Sequence, residues 1–271
     1  MKISALILTK NEQGMIENCL KQLTFADEII VLDQNSTDQT VKIAKKYTDK
    51  IFYSDCQNFD VNRNQLKNLA HGDWLLYVDA DERLSQDLID EIKEVINQDR
   101  SAFLGPHPAK RGRTAECSAF YFPRKNYILG KWVKHGGWWP DYTPRFFRKN
   151  KLIKWQGRVH ESPQVQGDFG YFKHAIKHLS GRNLSQMFSK SIKWAKIEAQ
   201  LLDEAGHTQV NILSIVKSTL LEFIRRFFIK AGFMDGIVGL IEAIYQAYHQ
   251  AMVIIYLWEI QNTSNKKFKK A

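Results

Sequence analysis

Three stretches in the first eighty residues are apolar almost throughout: residues 3–9 (ISALILT), 28–33 (EIIVLD) and 73–79 (DWLLYVD). A strand with one wet face alternates polar and apolar side chains. These do not, so each must be covered on both faces, which is the condition of a parallel sheet between helix layers. The intervening segments carry helix signals. Residues 12–22 follow a capping Asn11, and 36–47 open with Ser and Thr. Residues 62–70 end at His71–Gly72, and 85–98 combine a Ser85 cap with an i, i+3, i+4 apolar stripe. A short strand fits at 50–54. The alternation predicts an α/β fold, a Rossmann-like and mostly parallel sheet, whose ligands lie outside the carboxyl ends of the strands.

Past residue 100 the pattern loosens. Residues 105–118 are rich in Gly, Pro and basic side chains and read as a mobile loop. Strands fit at 119–125 and 143–149, joined by the aromatic loop GKWVKHGGWWPDY, and a helix fits at 183–204. The domain expectation is a catalytic unit over 1–205, with a nucleotide-binding half (1–100) and an acceptor half (101–205). A helical region over 206–271 follows. That region is strongly apolar, with single charges and a basic end, and reads as amphipathic helices at a membrane surface, cations on the headgroups. The competing reading is a helical hairpin packed on its own domain or on another subunit. Glu242, Gln246, His249 and Gln250 argue against full insertion.

Of the 271 residues, 44% are hydrophobic and 25% charged, a globular composition. The N-terminal apolar run is too short for a signal peptide, and no run is long enough for a transmembrane helix. Cys19, Cys56 and Cys117 are far apart and odd in number, which fits free thiols in a reducing compartment. Residues 1–100 hold 12 basic and 18 acidic side chains, while residues 101–200 hold 19 and 5. The basic middle predicts a polyanionic partner such as a nucleotide diphosphate, a phosphorylated glycolipid or an anionic membrane; the competing reading is a solvated basic face.

The fourth strand then runs into three acids, in WLLYVDADE (74–82). Asp79 and Asp81, two residues apart after a buried strand, can share a divalent cation. Hard oxygen ligands suit Mg²⁺ or Mn²⁺ on a diphosphate. Alternatively these acids mark a helix start. Other strand ends supply Thr9, Asn11 and Glu12, then Asp33, able to accept from a base or ribose. Arg63 and Lys67, one helical turn apart, could meet phosphates on the same side of the sheet. No GxGxxG follows the first strand and no GxxxxGK[ST] occurs, which disfavours a dinucleotide site or P-loop.

Taken together, ISALILTKNE, EIIVLDQNSTDQT and NRNQLKNLAHGDWLLYVDADE resemble the family-2 glycosyltransferases of the GT-A fold. WWPDYTPRFFRK, GRVHE, IKHLS and RRFFIKAGFMDG extend the likeness to bacterial lipopolysaccharide-core glucosyltransferases acting on inner-core heptose. The resemblance implies that Thr9, Asn11 and Asp33 hold uridine, that Arg63 contacts the nucleotide, and that Asp79 and Asp81 form the DxD motif. In that motif the last acid ligates the metal. Glu12 and Lys67 are plausible neighbours. Gln34–Asn35 replace a frequent Ser–Gly, although Asn35 can still be left-handed. The ED and QxxRW elements of processive synthases are missing, which implies addition of one sugar.

An inverting transfer needs a general base. Residues 101–200 offer Glu116, Asp141, Glu161, Asp168 and Glu198. Glu161 and Asp141 stand in turns beside the expected site, and for Glu161 a salt bridge to Arg158 or Arg145 competes. His178 fits a late metal or diphosphate contact, while His107, His160 and His174 read as structural. Trp132, Trp138 and Trp139 fit either sugar stacking or loop packing, and Arg145 and Arg148 either acceptor phosphates or a strand face. The expectation is a metal-dependent inverting hexosyltransferase, peripheral on the cytoplasmic face of a bacterial inner membrane. It would take a UDP-sugar, UDP-glucose first, and a lipid-linked phosphorylated oligosaccharide; nucleic acid is not expected, and the sequence is silent on oligomeric state. The alternatives are a sugar-phosphate nucleotidyltransferase, for which the loop after the first strand has too little glycine, and a non-catalytic module binding anionic membranes.

Overall fold

The computed structural model describes residues 1–97, 117–158 and 161–268, with side chains to residue 263. Its chain divides into two compact units, Met1–Lys125 with Asp141–Leu179, and Asn126–Pro140 with Ser180–Ala271.

The first unit opens with β1 (Ile3–Thr9), α1 (Ile16–Lys21), β2 (Glu28–Asp33), α2 (Thr40–Ala44), β3 (Ile51–Tyr53), α3 (Phe59–Leu69) and β4 (Trp74–Tyr77). The strands pair in parallel in the order β3-β2-β1-β4. All seven residues of β1 and all four of β4 are buried, as strands covered twice must be. Ala5, Ile7, Val31 and Leu76 meet Ile16 and Leu20 of α1 on one face. Leu6, Leu8, Leu32 and Tyr77 meet Leu66 of α3 on the other. The period of two therefore sends alternate side chains into two separate cores.

After β4 come β5 (Glu82–Arg83), α4 (Gln86–Asn97), β6 (Cys117–Ile128), β7 (Lys131–Trp132), β8 (Tyr142–Arg148), β9 (Leu152–Gln156), β10 (Ser162–Val165), β11 (Asp168–Tyr171) and β12 (Ile176–His178). The expected Ser85 cap forms, its Oγ accepting from Leu88 N at 3.2 Å. β8 lies antiparallel to β4, with Leu76 opposite Phe146 and Trp74 opposite Arg148. That register carries Arg145 to the carboxyl end of β4. β12 pairs antiparallel with β5, with His178 opposite Glu82. Strands β9 to β12 are short and partly wet, so they lack the apolar runs that announced β1, β2 and β4.

Two expected helices are shorter than their sequence signals. α1 begins only at Ile16, because Asn11 is left-handed (φ +53°) and its Oδ1 accepts from Thr37 N at 2.8 Å instead of capping. Asn11 N donates to Ser36 Oγ at 2.8 Å, Glu12 N to Thr40 Oγ1 at 2.8 Å, and Gln13 N to Asp38 Oδ2 at 3.1 Å. The polar residues that resemble helix caps instead stitch the β1–α1 loop to the β2–α2 loop. The Gly-rich loop over 105–116, with His107 and Glu116, and also His160, lie outside the described residues.

The second unit holds α5 (Leu184–Glu204), capped by Asn183 Oδ1 accepting from Gln186 N at 2.9 Å, then α6 (Ile212–Ile224). A π-helical turn (Arg225–Ile229), a 3₁₀ turn (Gly232–Asp235) and α7 (Gly236–Phe268) follow. α7 packs along α5: Ala199, Ile254 and Leu257 share a core, and Tyr245 OH donates to Met187 O at 3.1 Å. His249 faces α5 too, with Nδ1 2.8 Å from Ser191 Oγ and Nε2 3.3 Å from Glu198. No helix among the described residues is long and apolar enough to cross a membrane.

Candidate functional site

The site grows from the carboxyl end of β4, where the chain turns through Asp79, Ala80 and Asp81 into β5. Asp79 N donates to Glu82 Oε2 at 3.0 Å, closing the turn. Glu82 is fully buried. A carboxylate there needs a cation, and β8 supplies one: Arg145 Nη2 donates to Glu82 Oε1 at 2.8 Å and to Asp79 Oδ2. α3 supplies the second, Arg63, whose Nη2 lies 3.4 Å from Asp79 Oδ1. Arg63 Nε donates to Glu161 Oε1 at 2.9 Å. The Arg63 guanidinium also lies 4.8 Å from the Trp155 ring centroid, and Tyr77 OH donates to its carbonyl at 3.0 Å. Arg124 Nε donates to Asp141 Oδ2 at 2.9 Å and stands 3.9 Å from Glu82. On the other side of the turn, His178 Nε2 stands 3.5 Å from Asp81 Oδ2, and Leu179 N donates to Asp81 O at 2.9 Å.

Burial by itself would raise the pKa of Asp79, but Arg145 first, then Arg63 and His178, reverse this and hold it well below the usual carboxylate range. Asp79 is therefore an anion committed to arginines, while Asp81 stands beside an imidazole. The two acids of the DxD thus have different surroundings two residues apart.

The sequence candidates fall into three groups. Arg63, Asp79 and Glu161 share one guanidinium, Asp141 joins through Arg124 and Glu82, and Asp81 pairs with His178. Glu161 makes a salt bridge with Arg63, and the Arg145 guanidinium also feels its charge. Thr9, Asn11, Glu12 and Asp33 stand at the ends of β1 and β2. Asp33 accepts from Ser36 N at 2.7 Å and Ser36 Oγ at 2.6 Å, and Asn35 takes the left-handed conformation at φ +55°. The Thr9 hydroxyl is buried with no partner among the described residues, an unfilled hydrogen-bonding group at a strand end. Lys67 departs from the expected grouping: its Nζ donates to Ile153 O at 2.8 Å, and it lines a cavity with Asp73, Trp74 and Arg148, where β4 begins. Trp132 and Trp139 meet edge to face at 5.5 Å, and His174 is structural, its Nδ1 2.9 Å from Glu91.

Glu82, Arg145 and Arg124 are the residues that sequence reasoning undervalued. The available signal was the acid three positions after Asp79, which must turn inward to hold the Asp79 amide, and the surplus of arginine in the middle of the chain.

Asp81 and His178 form a carboxylate–imidazole pair, a donor set that suits Mn²⁺ or Mg²⁺ in part. Among the described residues no three His, Cys, Asp or Glu side chains are grouped to hold an ion. The remaining positions would fall to phosphate oxygens and water, which is usual for a cation bound through a diphosphate.

Residues 4–179 match the family model described as glycosyl transferase family 2. A Rickettsia bellii protein named as a glycosyltransferase is 27% identical, covering 97% of this chain and 88% of its own length. The Rhizobium meliloti lipopolysaccharide core biosynthesis glycosyltransferase LpsC is 21% identical, covering 90% and 87%. Among solved structures, S. aureus TarS in complex with UDP-GlcNAc aligns over 98% of this chain and 92% of that one, at 15% identity and a TM-score of 0.39.

Proposed function

The chain belongs to glycosyl transferase family 2, and from that premise we propose that it moves one hexosyl group from a UDP-sugar to a lipid-linked, phosphorylated oligosaccharide. Glucose is the hexose the sequence resemblance implies, and a lipopolysaccharide inner core is the acceptor, in keeping with the name of the Rhizobium relative. The observation that carries the reading is the meeting of Asp79, Asp81, Arg63, Glu161 and His178 at the carboxyl end of β4.

In this reaction the acceptor hydroxyl oxygen bonds to the anomeric carbon from the face opposite the leaving group. The bond from that carbon to the diphosphate oxygen breaks with its electron pair, and UDP departs. The acceptor proton passes to a carboxylate, for which Glu161 and Asp141 both stand in the network. Thr9, Asn11 and Asp33 hold the uridine end. Arg63, already shared between Asp79 and Glu161, turns its charge to the diphosphate. Asp81 and His178 would hold Mg²⁺ or Mn²⁺, which supplies positive charge to the leaving diphosphate when bound. The helical region 206–271 keeps the enzyme at an anionic membrane, peripheral on the cytoplasmic face of the inner membrane, where such an acceptor is built.

Incubation with UDP-glucose and a heptose-containing lipopolysaccharide core is expected to add one hexose to the glycolipid by mass spectrometry, with release of UDP. UDP-galactose and UDP-N-acetylglucosamine run in parallel fix the donor. Donor breakdown without any gain of mass on the lipid would overturn the acceptor assignment.

A further inference from the structure

Eight of the thirteen residues of α6 are apolar, and none of the thirteen is buried. A helix of that composition normally has its apolar side sealed. Ile212, Val216 and Leu220 recur at i, i+4 and i+8, so they share one face with Leu213 beside them, and Ile212 and Leu213 are 81% and 73% exposed. The exposed apolar run continues through the next two turns, where Ile229 is 73% and Met234 61% exposed.

Charge says what covers this face. Between residues 211 and 240 the acids are Glu222 and Asp235. Asp235 is buried, and Glu222 accepts from Arg225 Nε at 2.8 Å and Arg226 Nε at 2.8 Å. Lys217, Arg225 and Lys230 are exposed. An apolar face with a cationic margin and no exposed acid matches anionic headgroups over acyl chains. A second copy of the chain would bring like charges together. At 1.5 Å per residue α6 is about 20 Å long, too short to span a bilayer and suited to lying in its interface.

We infer that α6 and the two turns after it, and not the length of α7, form the surface that enters an anionic bilayer. This rests on the membrane part of the function proposed above and narrows it to one face. The same turns grip the tryptophan loop. Asp235 Oδ2 accepts from Lys134 N at 3.0 Å and His135 N at 2.7 Å, and Arg226 Nη1 donates to Gly136 O at 2.9 Å. A Cβ on Gly239 would lie 1.9 Å from Gly232 O, so the turn is closed tightly by glycine.

The test is flotation of the full chain with vesicles of phosphatidylcholine alone or mixed with phosphatidylglycerol. The wild type is expected to float with the mixed vesicles and not with the neutral ones. The double variant Leu213→Glu/Ile229→Glu is expected to bind at least about tenfold more weakly, since two large side chains leave the acyl region. Trp258→Glu, on the exposed side of α7, is expected to bind as the wild type does. UDP affinity and thermal unfolding check each variant's fold, and Leu213→Gln/Ile229→Gln replaces the glutamate pair if that pair unfolds. Unchanged flotation of the double variant, or loss of binding in Trp258→Glu alone, overturns the face assignment while the membrane reading stands. A wild type that floats with neither vesicle overturns both. A concentration-dependent dimer that the double variant abolishes, with vesicle binding unchanged, assigns the face to a second copy instead.

Discussion

Arg145 is the residue on which the acid cluster depends. It is 4% exposed and binds both Asp79 and fully buried Glu82. Removing one partner from such a cluster leaves uncompensated buried charge, so Arg145→Met is expected to lower unfolding free energy by about 3–5 kcal/mol in urea titration. Glu28 contributes to the acid sensitivity of the first unit. Burial pushes its pKa up, but Lys50, the Ser4 hydroxyl and the His71 amide outweigh that and bring it down to about 2. Its contribution is complete above the unfolded value near 4.5 and is lost as pH falls toward 2. Glu28→Gln is expected to flatten stability across that window by about 2–3 kcal/mol. Glu242 has the opposite sign: burial pushes its pKa up to about 7, against weaker opposing effects of Gln246 and Arg226. The neutral form suits the fold, so its contribution is full below pH 4.5 and lost as pH rises through 7. Glu242→Gln is expected to melt higher than wild type at pH 8, with the difference closing by pH 4. The sequence put Arg63 and Asp79 on one side of the sheet, and Glu161 in a turn beside the expected site. It could not show that Asp79 and Glu82 would need Arg145, because the antiparallel register of β8 on β4 brings that arginine across.

At the scale of elements, β1, β2 and β4 were legible because a continuous apolar run admits one arrangement, a strand with both faces covered. The loops after β1 and β2 were not. Ser36, Asp38 and Thr40 have the side chains of helix caps, and only tertiary contact decides that they receive amides of the neighbouring loop. In α7 the polar residues read as obstacles to full insertion; in the fold His249 meets Ser191 and Glu198 of α5, and Gln246 donates to Glu242 at 2.7 Å. Gly72 is a further element-level constraint, since a Cβ there would lie 2.7 Å from Ser4 Oγ and 2.9 Å from Lys2 O. Gly72→Ala is expected to lower stability by about 1–3 kcal/mol by chemical denaturation, because backbone on both sides must shift.

Over the whole molecule, the charge imbalance has two destinations. Part is internal, since Arg124 and Arg145 from the basic middle meet Glu82 and Asp79 from the acidic first third, and Arg63 meets Glu161. Among the described residues the exposed cations Lys217, Arg225 and Lys230 line the surface proposed to meet the membrane. Transfer to a lipid-embedded acceptor is accordingly expected to weaken as salt rises through the physiological range, while UDP release into water changes less, because membrane attraction is screened over about a Debye length. Kinetics at two salt concentrations check this. The central claim is that the β4 turn binds a nucleoside diphosphate through Asp81 and His178 with a divalent ion. Calorimetry with UDP, with and without Mn²⁺, on the wild type, Asp81→Ala and His178→Ala tests it most directly. Mn²⁺ is expected to tighten UDP binding to the wild type at least about tenfold, and both variants are expected to lose that gain while keeping the wild-type melting temperature. Equal Mn²⁺ enhancement in all three proteins, or no UDP binding by the wild type, would contradict it.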